Sequence, residues 1–260
     1  KAAIPKILEE FQQLRPSDGF RGMQETALMQ QSFHVTFFDR NVEYRQQVFE
    51  RIFSIFNDFA LGQLVDHRMA QGNIFLKPPK QGFVFPHQNL TITDESQFRS
   101  ISLWCPLQDT DLENGTLCVI PGSQEGFMRY RNTQVEWPLW EAFMPQGAAT
   151  PYLVPLNVKA GQVVVLDDRL IHVTPENQTN SPRWVLHSLW LPTSAPLRYF
   201  DVQLAHKKVL ECAVQEDFWQ FYTPGTEPTG LQEIAVHPYD EPQFTLEELL
   251  AHLENLIKAL

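Results

Sequence analysis

The sequence predicts a mainly β protein with flanking helices, its centre an antiparallel sandwich or jelly roll. Three observations predict it. Short β-rich runs separated by Pro, Gly and Asn follow one another from about Gly72 to Pro192. Apolar residues recur at helical spacing near both ends of the chain. No internal repeat or low-complexity linker divides the chain, so residues 1–260 read as a single domain.

The elements follow in order. "IPKILEEFQQL" sets Ile4, Ile7, Leu8, Phe11 and Leu14 at a period near 3.6, an amphipathic helix. "YRQQVFERIFSIFNDFALGQLV" is a longer one, with Val48, Phe49, Ile52, Phe53, Phe56, Phe59 and Ala60 on the expected buried side. Its phenylalanines are core residues. The strand runs are "NIFLKPP", "FVFPHQNLTI", "RSISLWCPL", "GTLCVIPGS", "GQVVVLDDRLIHV" and "PRWVLHSLWLP". Asn114-Gly115 is a hairpin-turn signal. Residues 134–155, rich in Pro and Trp, read as a long ordered loop, and the stretch around 125–155 is expected to shape a pocket. "TLEELLAHLENLIKAL" is a helix opened by a capping box, Thr245 with Glu248.

Composition narrows the function classes. Hydrophobic residues make up 43% of the 260 and charged residues 20%, as in a soluble globular protein. The net charge of −11 argues against a surface for the nucleic-acid backbone, which needs clustered Lys and Arg. An anionic small ligand is still compatible, since one buried Arg binds it locally. No apolar run approaches the ~18 residues of a membrane span. "KAAIPKILEEFQQL" is charged and amphipathic, unlike a secretory leader. Cys105, Cys118 and Cys212 are widely spaced and read as buried free thiols, which suits a cytoplasmic protein.

Chemistry concentrates around three positions. His87 lies in a β-rich run and Asn89 two residues on, so a strand puts both side chains on one face. His172 ends a second run, and Arg183 opens the next after "TPENQTNSP". An antiparallel return would bring that Arg close to His172. Two histidines with one oxygen ligand make a facial triad, which leaves three iron positions open for a bidentate cosubstrate and O₂. The fork of Arg183 suits a distal carboxylate.

Four segments extend this pattern: "FLKPP"; "HQN"; "DESQFRSISLWCPLQDTDLENGTLCVIPGSQ"; and "GQVVVLDDRLIHVTPENQTNSPR". Together they resemble the phytanoyl-CoA dioxygenase-like (PhyH) family of Fe(II)- and 2-oxoglutarate-dependent oxygenases. The resemblance runs from about Gly72 to Pro192, nearly half the chain. It implies a double-stranded β-helix, a cupin-like jelly-roll core over about 72–192, with helical segments at both ends. It implies Fe(II), 2-oxoglutarate as cosubstrate and O₂. The expected reaction is hydroxylation, or a related oxidation, at a C–H bond of a small molecule such as a specialised metabolite. Carried across, His87 and His172 are iron ligands and Asn89 stands where the family has Asp. Arg183 holds the far carboxylate of 2-oxoglutarate, and Trp104 lines its pocket. Gln88 and Thr174 match positions that touch the cosubstrate. "GSQ" departs from the family's Gly-Ser-His, and Gln124 reads as a turn residue.

Asn89 is the main departure. Two nearby carboxylates are poor substitutes on an extended strand. Asp94 has the wrong parity and lies about 20 Å from His87, and Asp168 lies about 13 Å from His172. An amide oxygen coordinates hard cations but brings no charge, and its NH₂ must turn away to an acceptor. Three readings stay open: Asn89 is a working ligand, it is an inactivating Asp-to-Asn substitution, or the chain is a non-catalytic ligand-binding relative. Asn is nearly as large as Asp and leaves no room for chloride, which argues against halogenation. A cupin-like metal enzyme that does not use 2-oxoglutarate has no need of Arg183. Elsewhere, His187 reads as a packed histidine, and Arg129 and Arg131 as solvated loop charges.

Overall fold

The computed structural model describes residues 3–22, 33–132, 140–144 and 147–258, with the side chains of 58–61 and 140 outside that set. Helix α1 (Ile4–Gln12) is followed by β1 (His34–Val35), α2 (Val42–Gln63) and β2 (His67–Lys77). Next come β3 (Val84–His87), β4 (Ile101–Pro106), β5 (Cys118–Val119) and β6 (Val154–Pro155). Then β7 (Val164–Asp167), β8 (His172–Thr174) and β9 (Arg183–Pro192) complete the central region. The chain closes with β10 (Arg198–Gln203), β11 (Lys208–Ala213), α3 (Phe218–Phe221), β12 (Gln232–Pro238) and α4 (Leu246–Lys258).

Two antiparallel sheets form a jelly roll, in the order β1-β2-β9-β4-β7 and β3-β8-β5-β6. Central strand β9, "RWVLHSLWLP", is buried along nearly its whole length, hence its near-continuous apolar character. Trp104, Leu166 and Val185 of the larger sheet pack against Leu117 and Val119 at the smaller one. Outside, α1 and α2 cover the larger sheet through Phe11, Val48, Ile52 and Phe56. The capping box forms as the sequence predicts. The Thr245 backbone N–H donates to Glu248 at 2.8 Å, and Glu248 N–H to Thr245 Oγ1 at 3.2 Å. The three cysteines are free and buried. No described helix is long and apolar enough to cross a membrane.

Several expectations need correction. The β region runs past Pro192 into a third sheet, β10-β11-β12, so the C-terminal part is not simply helical. Phe53 on α2 is 41% exposed, at the edge of the buried face, where it stacks on Trp190. Phe59 and Ala60 lie outside the described side chains, as does part of the 134–155 loop. The turn at Asn114-Gly115 joins no hairpin, because β4 and β5 belong to different sheets. "GQVVVLDDRLIHV" is two strands, not one: β7 ends at Asp167 and β8 starts at His172 in the other sheet. An Asp167–Arg169 ion pair of 2.7 Å braces the turn between them.

Candidate active site

The two sheets enclose a cavity of about 210 Å³. The sequence-predicted His87, Gln88, Asn89, Trp104, His172, Thr174 and Arg183 all line it.

At one end stand the histidines. β3 and β8 pair with His87 opposite His172, and the ring centroids are 4.2 Å apart. Each Nδ1 lies 2.9 Å from a backbone carbonyl two residues earlier, Phe85 for His87 and Leu170 for His172. A carbonyl only accepts, so Nδ1 carries the proton and Nε2 keeps its lone pair. Burial lowers both pKa values, and for His172 the neighbouring His87 lowers it further. Both rings are therefore neutral at neutral pH, the form that binds metal.

Asn89 completes this end. Its Nδ2 donates to Asp168 Oδ1 at 2.7 Å and to Ser102 Oγ at 3.0 Å. That occupies both amide hydrogens, and no donor among the described residues is bonded to Oδ1. The backbone is fixed as well: Asn89 N–H donates to Asp168 O at 2.8 Å, and Arg131 Nε donates to Asn89 O at 2.6 Å. Asp168 is thus beside Asn89 after all. The straight-strand distance fails because the chain turns between β7 and β8. Burial pushes the Asp168 carboxyl up to about 6, against hydrogen bonds from Ser102 and Asn89 that favour the charged form. Ser102 has one hydroxyl proton, and the Asp168 carboxylate is its strongest acceptor. His187 then donates to Ser102 from Nε2, at 3.0 Å. Burial lowers the His187 pKa to about 3, so this ring too is neutral.

The other end is cationic. Lys77 and Arg183 are cross-strand partners of β2 and β9, each 1% exposed. Like charges directly opposite one another are destabilising, and no carboxylate among the described residues is hydrogen-bonded to either. Lys77 Nζ donates to the carbonyls of Thr174, at 2.8 Å, and Pro175. Arg183 Nη2 donates to Gly115 O at 3.0 Å, while Nε and Nη1 are buried without a partner. Thr174 Oγ1 is also buried and unpartnered. Burial pulls Arg183 down to about 9, and burial with the Arg183 charge holds Lys77 well below its usual range. Unpartnered buried donors of this kind call for an explanation, and an anionic acceptor in the cavity is one that suits their chemistry. The Arg183 guanidinium lies 5.8 Å from the centre of the Trp104 ring. Gly115 is required by its φ of +79°, and a Cβ there would lie 2.3 Å from Pro175 O.

Arg183 does not come near by the expected strand return, since β8 and β9 lie in different sheets. It enters because the two sheets face each other across the cavity. Gln88 lines the wall with its amide committed to backbone: Nε2 donates to Arg169 O at 2.6 Å, and Oε1 accepts from Met128 N–H at 3.1 Å. Arg131 is not a solvated charge. It is buried and ion-paired with Glu95, also nearly buried. Sequence reasoning missed Lys77, Ser102 and Asp168 as site residues; the signal for Lys77 was a lysine inside the apolar strand run "NIFLKPP".

The rest of the wall is mostly apolar, with Phe33, Val35, Phe37, Phe38, Phe75 and Phe85 prominent and Gln71, Asn73 and Asn132 among its polar members. Through Phe33, Val35 and Phe37 it is backed by Tyr199, Cys212 and Trp219 of the third-sheet region.

A family profile described as phytanoyl-CoA dioxygenase (PhyH) matches residues 6–185. The chain belongs to the phytanoyl-CoA dioxygenase (PhyH) family. Among curated PhyH proteins, phytanoyl-CoA dioxygenase 1 of Oryza sativa subsp. japonica is 33% identical over 113 residues, 44% of this chain and 40% of that protein. Phytanoyl-CoA dioxygenase domain-containing protein 1 of Mus musculus is 30% identical over 122 residues, 42% of this chain and 40% of that protein. The chain thus spans about 40% of the length of these curated relatives. Among solved structures, HygX from Streptomyces hygroscopicus, with nickel and 2-oxoglutarate bound, superposes with a TM-score of 0.50. It is 14% identical and covers 74% of this chain and 79% of its own. That likeness extends the PhyH assignment to the jelly-roll fold.

Proposed function

We propose that this PhyH protein is an Fe(II)- and 2-oxoglutarate-dependent oxygenase acting on a C–H bond of a small, largely apolar molecule. The observation that carries the reading is the pairing of opposite ends in one cavity. Neutral His87 and His172 stand at one end, and buried, unpartnered donors of Arg183 and Thr174 at the other. His87, His172 and the Asn89 oxygen would hold the metal. Arg183, Lys77 and Thr174 would take the far carboxylate of the cosubstrate, beside Trp104. Once bound, the metal and cosubstrate would supply oxidation by O₂, with 2-oxoglutarate converted to succinate and CO₂. The chain's own residues bind, orient and exclude water: Phe85 O and Leu170 O fix the imidazole tautomers, and the phenylalanine wall keeps the reacting end dry.

The wall also supports a substrate without strong negative charge. Beyond Lys77 and Arg183, the cation lining it among the described residues is Arg131, and Glu95 neutralises that one. The third sheet backs this wall, so the reading takes residues 1–260 as one oxygenase unit.

Asn89 favours a second reading, a relative that binds both ligands without turnover. Two measurements separate the readings. Calorimetry with Mn(II) should show 2-oxoglutarate binding that depends on the metal and is lost in His87→Ala and His172→Ala. Succinate should then form with Fe(II), O₂ and an oxidisable apolar substrate. Metal-dependent binding with no succinate under any condition supports the binding protein; binding indifferent to metal and to both histidines overturns the site.

A further inference from the structure

Asp168 is fully buried, and its hydrogen-bonding partners, Asn89 and Ser102, are both neutral. Ser100, the further side chain acting on the carboxyl, is neutral as well. No cation is hydrogen-bonded to it among the described residues. A buried carboxylate so placed is costly unless a positive charge compensates it. What it touches is the NH₂ of Asn89, the side chain whose Oδ1 has no bonded donor and which lines the cavity beside the two histidines.

We propose that Asp168 is a positioning residue that supplies the negative charge of the metal site through the Asn89 amide. This rests on the metal site of the preceding reading. Two effects follow from one hydrogen bond. The carboxylate holds the amide nitrogen, so Oδ1 cannot exchange places with it and remains directed at the cavity. It also polarises the amide, since an N–H given to an anion shifts electron density towards the carbonyl oxygen. A carboxylate behind a ligand raises that ligand's basicity and fixes its orientation. With Asp168 counted, two neutral imidazoles and an amide carry the same total charge as a triad of two histidines and a carboxylate. The charge lies one residue further from the ion. Ser102 steadies the arrangement by donating to Asp168 while accepting from Asn89 and His187.

The test is metal affinity, measured without turnover. Mn(II), and Fe(II) under anaerobic conditions, are titrated by calorimetry into the unaltered chain, into Asp168→Asn, and into the exchanged pair Asn89→Asp with Asp168→Asn. Asp168→Asn keeps an oxygen that accepts the Asn89 and Ser102 bonds, removes the charge, and sets an NH₂ in place of Oδ2 with Ser100 as its acceptor. It should weaken metal binding about 10- to 100-fold, with the metal-free melting temperature no lower than that of the unaltered chain. The exchanged pair restores one charge to the same hydrogen bond, now on the inner residue, and should bind at least as tightly as the unaltered chain. A loss of metal affinity with the metal-free melting temperature kept is what a merely structural role for Asp168 would not give. Wild-type affinity in Asp168→Asn overturns this inference alone. So does an exchanged pair that binds well below the unaltered chain, a result that stands even if Asp168→Asn fails to fold. Absence of any metal binding by the unaltered chain overturns the metal site itself.

Discussion

Replacing Arg183 with Met separates what the guanidinium does for ligand binding from what it does for folding. In the unliganded protein, Arg183 donates once, to Gly115 O, and leaves Nε and Nη1 buried and unsatisfied opposite a second buried cation, Lys77. Each unsatisfied donor costs about 1–3 kcal/mol. Met fills a similar volume without donors, and its one new penalty is the orphaned Gly115 carbonyl. The ligand-free protein should therefore gain on the order of 1 kcal/mol, about 2–4 °C in melting temperature for a chain near this size. The cosubstrate loses two charge-assisted hydrogen bonds, while Lys77 stays to hold part of the anion. A net loss of about 2–4 kcal/mol corresponds to about 30- to 1000-fold in affinity. Calorimetry with Mn(II)-loaded protein measures the affinity, and differential scanning calorimetry measures the melting. Unchanged 2-oxoglutarate affinity would place the anion elsewhere. A marked fall in the ligand-free melting temperature would show that Arg183 is satisfied in the fold and not reserved for a ligand.

Three further perturbations are informative. Asn89→Asp alone sets two carboxylates in the contact where amide and carboxylate now meet at 2.7 Å. The metal-free protein should lose on the order of 3 kcal/mol, and added Mn(II) should recover most of that melting temperature. Gly115→Ala forces a Cβ towards Pro175 O in a left-handed backbone, so the carbonyl that orients Arg183 must move. At least a tenfold loss of 2-oxoglutarate affinity is expected by calorimetry, with metal affinity retained. Asp18 is raised by burial, but hydrogen bonds from His34 and the N–H groups of Phe20 and Gly22 outweigh this and hold its pKa below the usual value. Its contribution is therefore complete above the ordinary carboxylate range and fades as pH falls through the lowered value. In acid denaturation, Asp18→Asn should flatten that part of the curve.

The sequence made the central strands legible because each run carries its own punctuation, and the helix after Thr245 because its cap is local. That His87, Asn89 and His172 line one cavity was foreseeable from strand parity and motif order. What stayed hidden depends on contacts distant in sequence. Arg131 looks solvated until Glu95, 36 residues away, is brought against it. Asp168 was discounted on a straight-strand distance, and the bend that defeats it is held by side chains of the Asp-Asp-Arg turn, with neither Gly nor Pro. The β10–β11 hairpin escaped notice because its left-handed turn residue is Lys207, at φ 48°, where Gly or Asn is the usual marker. Lys77 read as one strand residue among several, since its partner Arg183 lies on a strand more than a hundred residues on.

Because the histidines stand on one sheet and Arg183 on the other, a dicarboxylate held at both ends is also a strut across the jelly roll. Without it, the two sheets are joined at this end by apolar packing and by the hydrogen bonds that Lys77 and Arg183 give to the carbonyls of Thr174, Pro175 and Gly115, with the two cations side by side inside. With it, opening the sandwich would mean breaking metal coordination and an ion pair together. Amide hydrogen exchange should therefore slow in β8 and β9 in concert on cosubstrate binding, although the two strands share no hydrogen bond. Under the proposed binding mode, the rigidity of the scaffold would follow ligand concentration: limited proteolysis should cut the protein without 2-oxoglutarate faster than the protein saturated with it.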